Sequence, residues 1–380
     1  MKSALFLYRH QQWTMSERSH ASFNPSSAQL VLAFGSKQLF SQAKMYEDIR
    51  TKFPNAEIAL CSTSGEIYED KVFDDSVSLI AVEFAHTQVK TASVMMKDYQ
   101  NSFDAGAALM AQLDKENLAY VCVLSDGAMV NGSDLVSSFN TNKKAELLIT
   151  GGLAADGMNF TSTLVGLNNI PQQGMIVAVA LYGAKLKVQH GSKGGWEMFG
   201  LEKTVTKSEA NVLYEIDGKS ALSIYKRYLG EEAEHLPGSA LMYPLNITFP
   251  ETGEQVVRTV LNINEEEGSM TFAGNIPVGV KVKFMKANFD KITNAASEAA
   301  AQSIAEDVMP QFALLISCVG RKSILLSRTA EEVESVDEMF QHQTLLSGFY
   351  SYGEIAPVEH GVQCQIHNQT MTITSFYEAE

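Results

Sequence analysis

One pattern recurs three times along this chain, and it limits the folds open to it more than any other feature. A short apolar strand at 29–35 (QLVLAFG) is followed by a helical stretch at 38–52. A second apolar strand at 56–61 (AEIALC) runs into a small-residue turn and an acid, Glu66, and a further strand covers 76–84. The order returns at 119–124 (AYVCVL), with a helix near 133–140, a strand at 145–149, the turn 151–156 (GGLAAD) ending on Asp156, and a strand at 175–181. It returns again at 312–318 (FALLISC), with a helix near 331–341, then 345–354 (LLSGFYSYGE) ending on Glu354, and a last strand at 371–376. Fixed-order self-similarity of this kind is the mark of a repeated structural unit.

The second and third copies share an upstream element, a strand at 89–97 before a helix at 102–113 and a strand at 278–285 before a helix at 292–308. The latter helix carries Ala295, Ala296, Ala299 and Ala300, whose small side chains permit close packing. Strands separated by helices predict an α/β fold. The third strand of each unit follows a turn without another helix, so the sheets are expected to be mixed. The fold expected is therefore duplicated strand–helix–strand units forming mixed sheets layered with helices. Segments 89–181 and 278–376 should superpose, with Asp156 and Glu354 in equivalent places, and two related sheets should stack with a cleft between the halves. A distinct segment, 182–275, separates the copies. It holds two expected strands, a helix at 220–229 and a turn-rich stretch at 237–253, with a junction and hinge near Gly230.

At 380 residues, 45% of them hydrophobic and 19% charged, the chain has the material for a large core. A net charge of −15 repels phosphate backbones and disfavours nucleic-acid partners. The N-terminal apolar run is too short for a signal-peptide core, and no stretch is long enough to span a bilayer, so neither secretion nor membrane insertion is expected. Cys61, Cys122, Cys318 and Cys364 are scattered without a Cys-x-x-Cys pair. Cys122 and Cys318 lie in apolar runs and read as buried reduced thiols, which suits a cytoplasmic protein.

The acids beside the turns, Glu66, Asp156 and Glu354, either fix their loops by accepting hydrogen bonds or face a ligand at a strand end. Run 151–157 lacks the ending of a phosphate loop. His190 follows a strand into a glycine-rich loop beside Trp196. It reads as a loop histidine bonded to backbone, or as a ligand for a bulky planar group with Trp196 as a wall. His367, at the last strand, reads as a ligand or a turn cap. His10, His20, His86, His235, His342 and His360 sit in polar surroundings and read as surface residues. Arg321 offers a fixed fork for a carboxylate, or pairs with an acid. Cys318 with His367 would make a nucleophile–base pair if the fold joined them, and otherwise Cys318 is a small core residue. In the run Phe349, Tyr350, Tyr352, alternate residues face opposite sides. Tyr350 and Tyr352 share a face, and one face is expected to line a cleft with Arg321.

Several strings together resemble the FIST sensory domain of bacterial signalling proteins: CSTSGEI at 61–67, LSDG at 124–127, GGLAADG at 151–157, GWE at 195–197, NVLYEIDG at 211–218, SCVGR at 317–321, GFYSYGEI at 348–355 and HNQTMT at 367–372. The resemblance spans roughly residues 28 to 375 and implies a FIST N domain at 28–225 and a FIST C domain at 226–375. It implies an intracellular small-ligand sensor rather than an enzyme. A stand-alone chain of this kind is similar to the NosP family, which implies a non-covalent haem that senses nitric oxide and a partner histidine kinase in two-component signalling. His190 is then the first candidate for the haem iron and His367 the second. The alternative is an amino-acid-like ligand, its carboxylate on Arg321 and its amine on Glu354 or Asp156. A cysteine hydrolase using Cys318 and His367 is the third reading.

Overall fold

In the three repeated strands every second side chain enters one shared core. The structure, a computed structural model, describes residues 1–144, 146–306, 308–358 and 363–379, so His360 lies outside the described residues. Leu30, Leu32 and Phe34 of strand β2 (Leu30–Gly35) meet Tyr120, Cys122 and Leu124 of β7 (Leu118–Ser125) and Phe312, Leu314 and Ile316 of β12 (Phe312–Cys318) in a single buried cluster. The alternate residues, Val31 and Ala33, Val121 and Val123, Ala313 and Leu315, point outward into three separate clusters. Strands buried on both faces read as continuous apolar runs, which is why the copies are visible in the sequence.

Three sheets thus surround one core, where two stacked sheets were expected. In each, the first strand lies parallel to the second and antiparallel to the last. The first copy runs β3 (Glu57–Ser62), β2, β5 (Val77–Glu83), β1 (Lys2–Arg9). The second runs β8 (Leu148–Leu153), β7, β10 (Met175–Tyr182), β6 (Gln88–Met95). The third runs β13 (Leu345–Ser351), β12, β15 (Met371–Glu378), β11 (Leu186–Lys193). Outside lie the helices: Ala43–Lys52 on the first sheet, Ser102–Ala111 and Gly132–Asn142 on the second, Phe289–Gln302 and Thr329–Met339 on the third. The alanines of Phe289–Gln302 do bring it close: a Cβ at Gly191 of β11 would stand 1.9 Å from the Ala299 carbonyl oxygen.

Each copy also lends a short strand to its neighbour. β4 (Glu66–Tyr68) of the first pairs with β13 of the third. β9 (Val165–Leu167) of the second pairs with β3 of the first, and β14 (Gly353–Pro357) of the third with β8 of the second. The exchange is cyclic, so the three copies form a closed ring in which each sheet's edge is covered by another copy.

The third copy is interrupted. Between β11 and helix Phe289–Gln302 sits an inserted unit, 197–286, built on an eight-stranded sheet with its own core, including Leu213, Tyr225, Ile247 and Phe284. Strand Lys281–Lys286, expected to lead the third copy, belongs to this insert; β11 takes the place that β6 and β1 hold in the other copies. The expected junction at 225/226 falls inside helix Ala221–Leu229, whose Leu222, Ile224 and Tyr225 pack in the same core as the strands on both sides. Gly230, expected as a hinge, caps that helix with φ +61. All four cysteines are buried free thiols. No helix among the described residues is long and apolar enough to cross a membrane.

Candidate functional site

The turns that end β3, β8 and β13 meet and lock together. Three equivalent hydrogen bonds join them: Ser64 N donates to Tyr350 O (2.9 Å), Ala155 N to Ser62 O (2.8 Å) and Tyr352 N to Leu153 O (3.2 Å). This register makes Ser64, Ala155 and Tyr352 equivalent. It therefore pairs Glu354 with Glu66 rather than with Asp156, which stands one residue earlier, at the place of Gly65 and Gly353. The hydrogen bonds agree. Glu66 accepts from the Thr63 hydroxyl and from the Ser76 amide and hydroxyl; Glu354 accepts from the Ser351 hydroxyl and from the Thr370 amide and hydroxyl. Burial pushes Glu66 up to about 7 and Glu354 up to about 8, against those hydrogen bonds. Both are loop-fixing acids, and Glu354 faces no ligand cleft described below.

Asp156 differs. Burial works against its charge, but the Tyr352 hydroxyl, Thr161, the Ser162 amide and Lys37 all bind the carboxylate and hold it down to about 2. It borders a polar cleft of ≈430 Å³ with Ser36, Lys37, Thr63, Ser64 and Asp74. Lys322 reaches the carbonyl of Ser64 and pairs with Asp74 beside it.

Arg321 is 0% exposed; its Nε, Nη1 and Nη2 all donate, to Glu332 and to the carbonyls of Gly194, Ile292 and Gln369, and Nη2 also lies 2.7 Å from the Glu332 carboxylate. It closes an internal ion pair and has no donor left for a ligand carboxylate. Tyr350 is buried with it and donates to Glu332. Phe349 stacks on Phe34 in the shared core at 4.8 Å. Tyr352 lines one of the clefts described here, while Phe349, Tyr350 and Arg321 line none of them, so the expected face with Arg321 does not form there. Trp196 donates to Gln369 O and packs by Ile324 and Leu325, and it lines none of the four clefts described here.

His190 lies on β11 and its Nδ1 donates to Ile373 O (3.1 Å); its Nε2 is shut in without a partner among the described residues. Burial draws it down to about 3. His367 donates from Nε2 to Ala356 O (3.1 Å), and burial draws it to about 4. Neither imidazole lines any of the four clefts described here. A haem needs an open axial nitrogen facing an apolar slot, and these two residues do not fit one as folded. Cys318 and His367 make no hydrogen bond to each other, and burial pushes the Cys318 thiol well up, so the nucleophile–base pair is not formed. The other two clefts are a shallow one beside His86 and one of ≈500 Å³ at the N-terminal ends of the second copy's strands, away from the locked turns.

The remaining cleft, ≈340 Å³, opens between the ring and the insert. From the ring come Met129, the N-terminal turn of helix Gly132–Asn142, Leu153, Phe160, Tyr352 and Ile366; from the insert come Asn211, Leu261 and 272–274. Phe160 stacks on Tyr352 with centroids 4.4 Å apart and planes at 15°, and its amide donates to the Tyr352 hydroxyl. Met129 (53% exposed), Phe160 (47%) and Leu261 (45%) present an open apolar wall. Asn275 docks the insert here: its amide donates to the Ser133 hydroxyl, and its side chain bonds Asp134 and Asn131. Beneath lies Arg258, 2% exposed, drawn down to about 10 by burial. Sequence reasoning passed over Arg258, Phe160 and Met129. The available signal was a lone arginine inside the apolar run Val256, Val257, Val260.

Two family models match the chain: the FIST N domain over residues 29–219 and the FIST C domain over 221–357. Their boundary falls inside the insert, as the sequence-based one did. No curated protein matches. Among solved structures, the crystal structure of cyanuric acid hydrolase from A. caulinodans is similar over 100% of this chain and 99% of that one, at 8% identity and a TM-score of 0.39.

Proposed function

The chain belongs to the FIST family, whose domains sense small ligands in signalling proteins, and on that premise we propose that its ligand occupies the cleft between the ring and the insert. The observation that carries this is the meeting of two separately cored units around an open aromatic and apolar wall, Phe160, Tyr352, Met129 and Leu261. Pockets favour such junctions. A ligand held by both units favours one relative placement of them, and only such differential binding can pass a signal on. The output is read by a signalling partner, which the NosP resemblance makes a histidine kinase. That resemblance also brings haem and nitric oxide, but His190 and His367, each bonded to a backbone carbonyl, do not fit a haem as folded.

The test is thermal denaturation of the purified chain with each of the twenty amino acids and with haem, alongside Phe160→Ala. Phe160 is half exposed, so the substitution should leave the ligand-free melting temperature within a few degrees of wild type, as surface changes do. A cleft ligand should raise the melting temperature of wild type and lose about tenfold or more in affinity on Phe160→Ala, consistent with ~1.4 kcal/mol of lost aromatic contact. A ligand that stabilises both chains equally lies elsewhere. A Soret band that survives Phe160→Ala and disappears in His190→Ala would displace this reading in favour of haem.

A further inference from the structure

Two arginines are fully buried in this chain, and they differ in one respect. Arg321 has Glu332 at 2.7 Å. Arg258 has no carboxylate within ion-pair distance among the described residues. Its Nε donates to Asn275 O (3.2 Å), and its Nη1 to Ile366 O (2.9 Å) and Val257 O (3.3 Å). Its Nη2 hydrogens have no acceptor among the described residues. A buried cation held only by carbonyl dipoles is costly, and buried charges are normally paired.

The position of this unpaired charge is informative. A Cβ on Gly274, which lines the inter-unit cleft, would lie 2.9 Å from Arg258 Nε, 3.1 Å from its Cζ and 3.2 Å from Ser133 Oγ. Ile366, whose carbonyl binds Nη1, lines the same cleft, as do 131–133 at the start of helix Gly132–Asn142. Any side chain at 274 would press on the guanidinium, so Gly274 lets this part of the cleft wall lie directly against Arg258. The amino end of an eleven-residue helix adds its partial positive charge on the same side.

We propose that Arg258 is the anion receptor of this cleft and that its ligand is a small carboxylate bearing a flat or apolar group. This rests on the reading that the cleft is the ligand site. The planar fork of a guanidinium suits a carboxylate, and Nη2 is the arm whose hydrogens are not already given to a backbone carbonyl. The flat group lies along Phe160 and Tyr352. A polyanion such as a nucleotide would meet the chain's net charge of −15 and the apolar wall, so a monoanion is the better fit. Bound there, the carboxylate contacts groups of the ring and the charge of the insert at once, so its presence ties the two units together.

The test uses benzoate as probe and benzamide as its uncharged twin, by calorimetric titration of the full chain. Benzoate should bind at least about tenfold more tightly than benzamide, the low end for a charge-assisted hydrogen bond. Arg258→Met should remove that preference, weakening benzoate at least about tenfold and leaving benzamide unchanged, while Arg258→Lys should fall between. If Arg258→Met does not fold by circular dichroism, the wild-type comparison and Arg258→Lys still decide. Equal binding of benzoate and benzamide, full benzoate affinity in Arg258→Met, or no benzoate response at all overturns the proposal. Binding of either probe that falls with Phe160→Ala but not with Arg258 substitution overturns the anion receptor while leaving the cleft. Binding that depends on Arg258 but not on Phe160 keeps the receptor and removes the cleft wall.

Discussion

Glu332→Ala should destabilise the chain by about 3–5 kcal/mol, the cost of stranding one member of a buried ion pair. Both partners are 0% exposed, and Glu332 also accepts from the Tyr350 and Ser317 hydroxyls. Its loss leaves Arg321 charged against carbonyls alone and leaves two buried hydroxyls without their acceptor. That is a large part of the 5–15 kcal/mol typical of a domain. The double change Arg321→Met with Glu332→Leu should be milder than Glu332→Ala alone, because it removes both charges together. Urea unfolding of the three chains measures this. A Glu332→Ala chain within about 1 kcal/mol of wild type, the scale of an exposed pair, would mean that Arg321 is not buried as described.

Stability should also fall as pH rises from 6.5 to 8. Glu66 and Glu354 have folded values of about 7 and about 8, above the ordinary 4.5, so the folded chain keeps protons that the unfolded chain has released. Their contribution is complete below about pH 4.5 and is lost as pH climbs through 7 and 8. His190 and His367 act in the opposite sense, since their folded values of about 3 and about 4 lie below 6.5. Their contribution is gained as pH rises through 6.5, is complete about one unit above it, and offsets a minor part of the fall from the carboxyls. Asp156 and Glu378, each held at about 2, add stability as pH rises toward 4.5. The opposing groups partly cancel below 6.5, leaving the two carboxyls to dominate above it. At 1.36 kcal/mol per pH unit per proton, the fall from 6.5 to 8 is on the order of 2 kcal/mol, most of it from Glu354. Cys318 is a titratable neighbour of Glu354, and burial pushes its thiol up, away from that window. Glu354→Gln should flatten the decline. A wild-type stability that is level or rising between pH 6.5 and 8, or a Glu354→Gln chain with the wild-type slope, contradicts this assignment.

The repeated units are legible because their strands are buried on both faces and so read as unbroken apolar runs with small-residue turns after them. Which strand opens each copy is not legible. Strands Lys281–Lys286 and Leu186–Lys193 have similar local character, and only the insertion of 197–286 decides that the second joins the ring. The sharing of β4, β9 and β14 between copies depends on contacts far apart in sequence, which no local pattern reports. At the site, Asp156 and Tyr352 were found through their turns and do meet each other. Arg321 was singled out for its fork, but its acid, Glu332, lies eleven residues on in the following helix and already fills it. Arg258 is not legible, because an arginine in a short strand ordinarily points to solvent, and one of the carbonyls that hold it, that of Ile366, comes from the ring, far away in sequence.

Hydrogen exchange of the full chain, with and without whichever compound stabilises it most, tests the central claim most directly. A ligand in the cleft between ring and insert should slow exchange at 127–133 and at 272–275 together. It should leave the polar cleft at 36–41 and 63–66 unchanged. Protection confined to the polar cleft, or centred on 189–193 and 367–373 around His190 and His367, would contradict it.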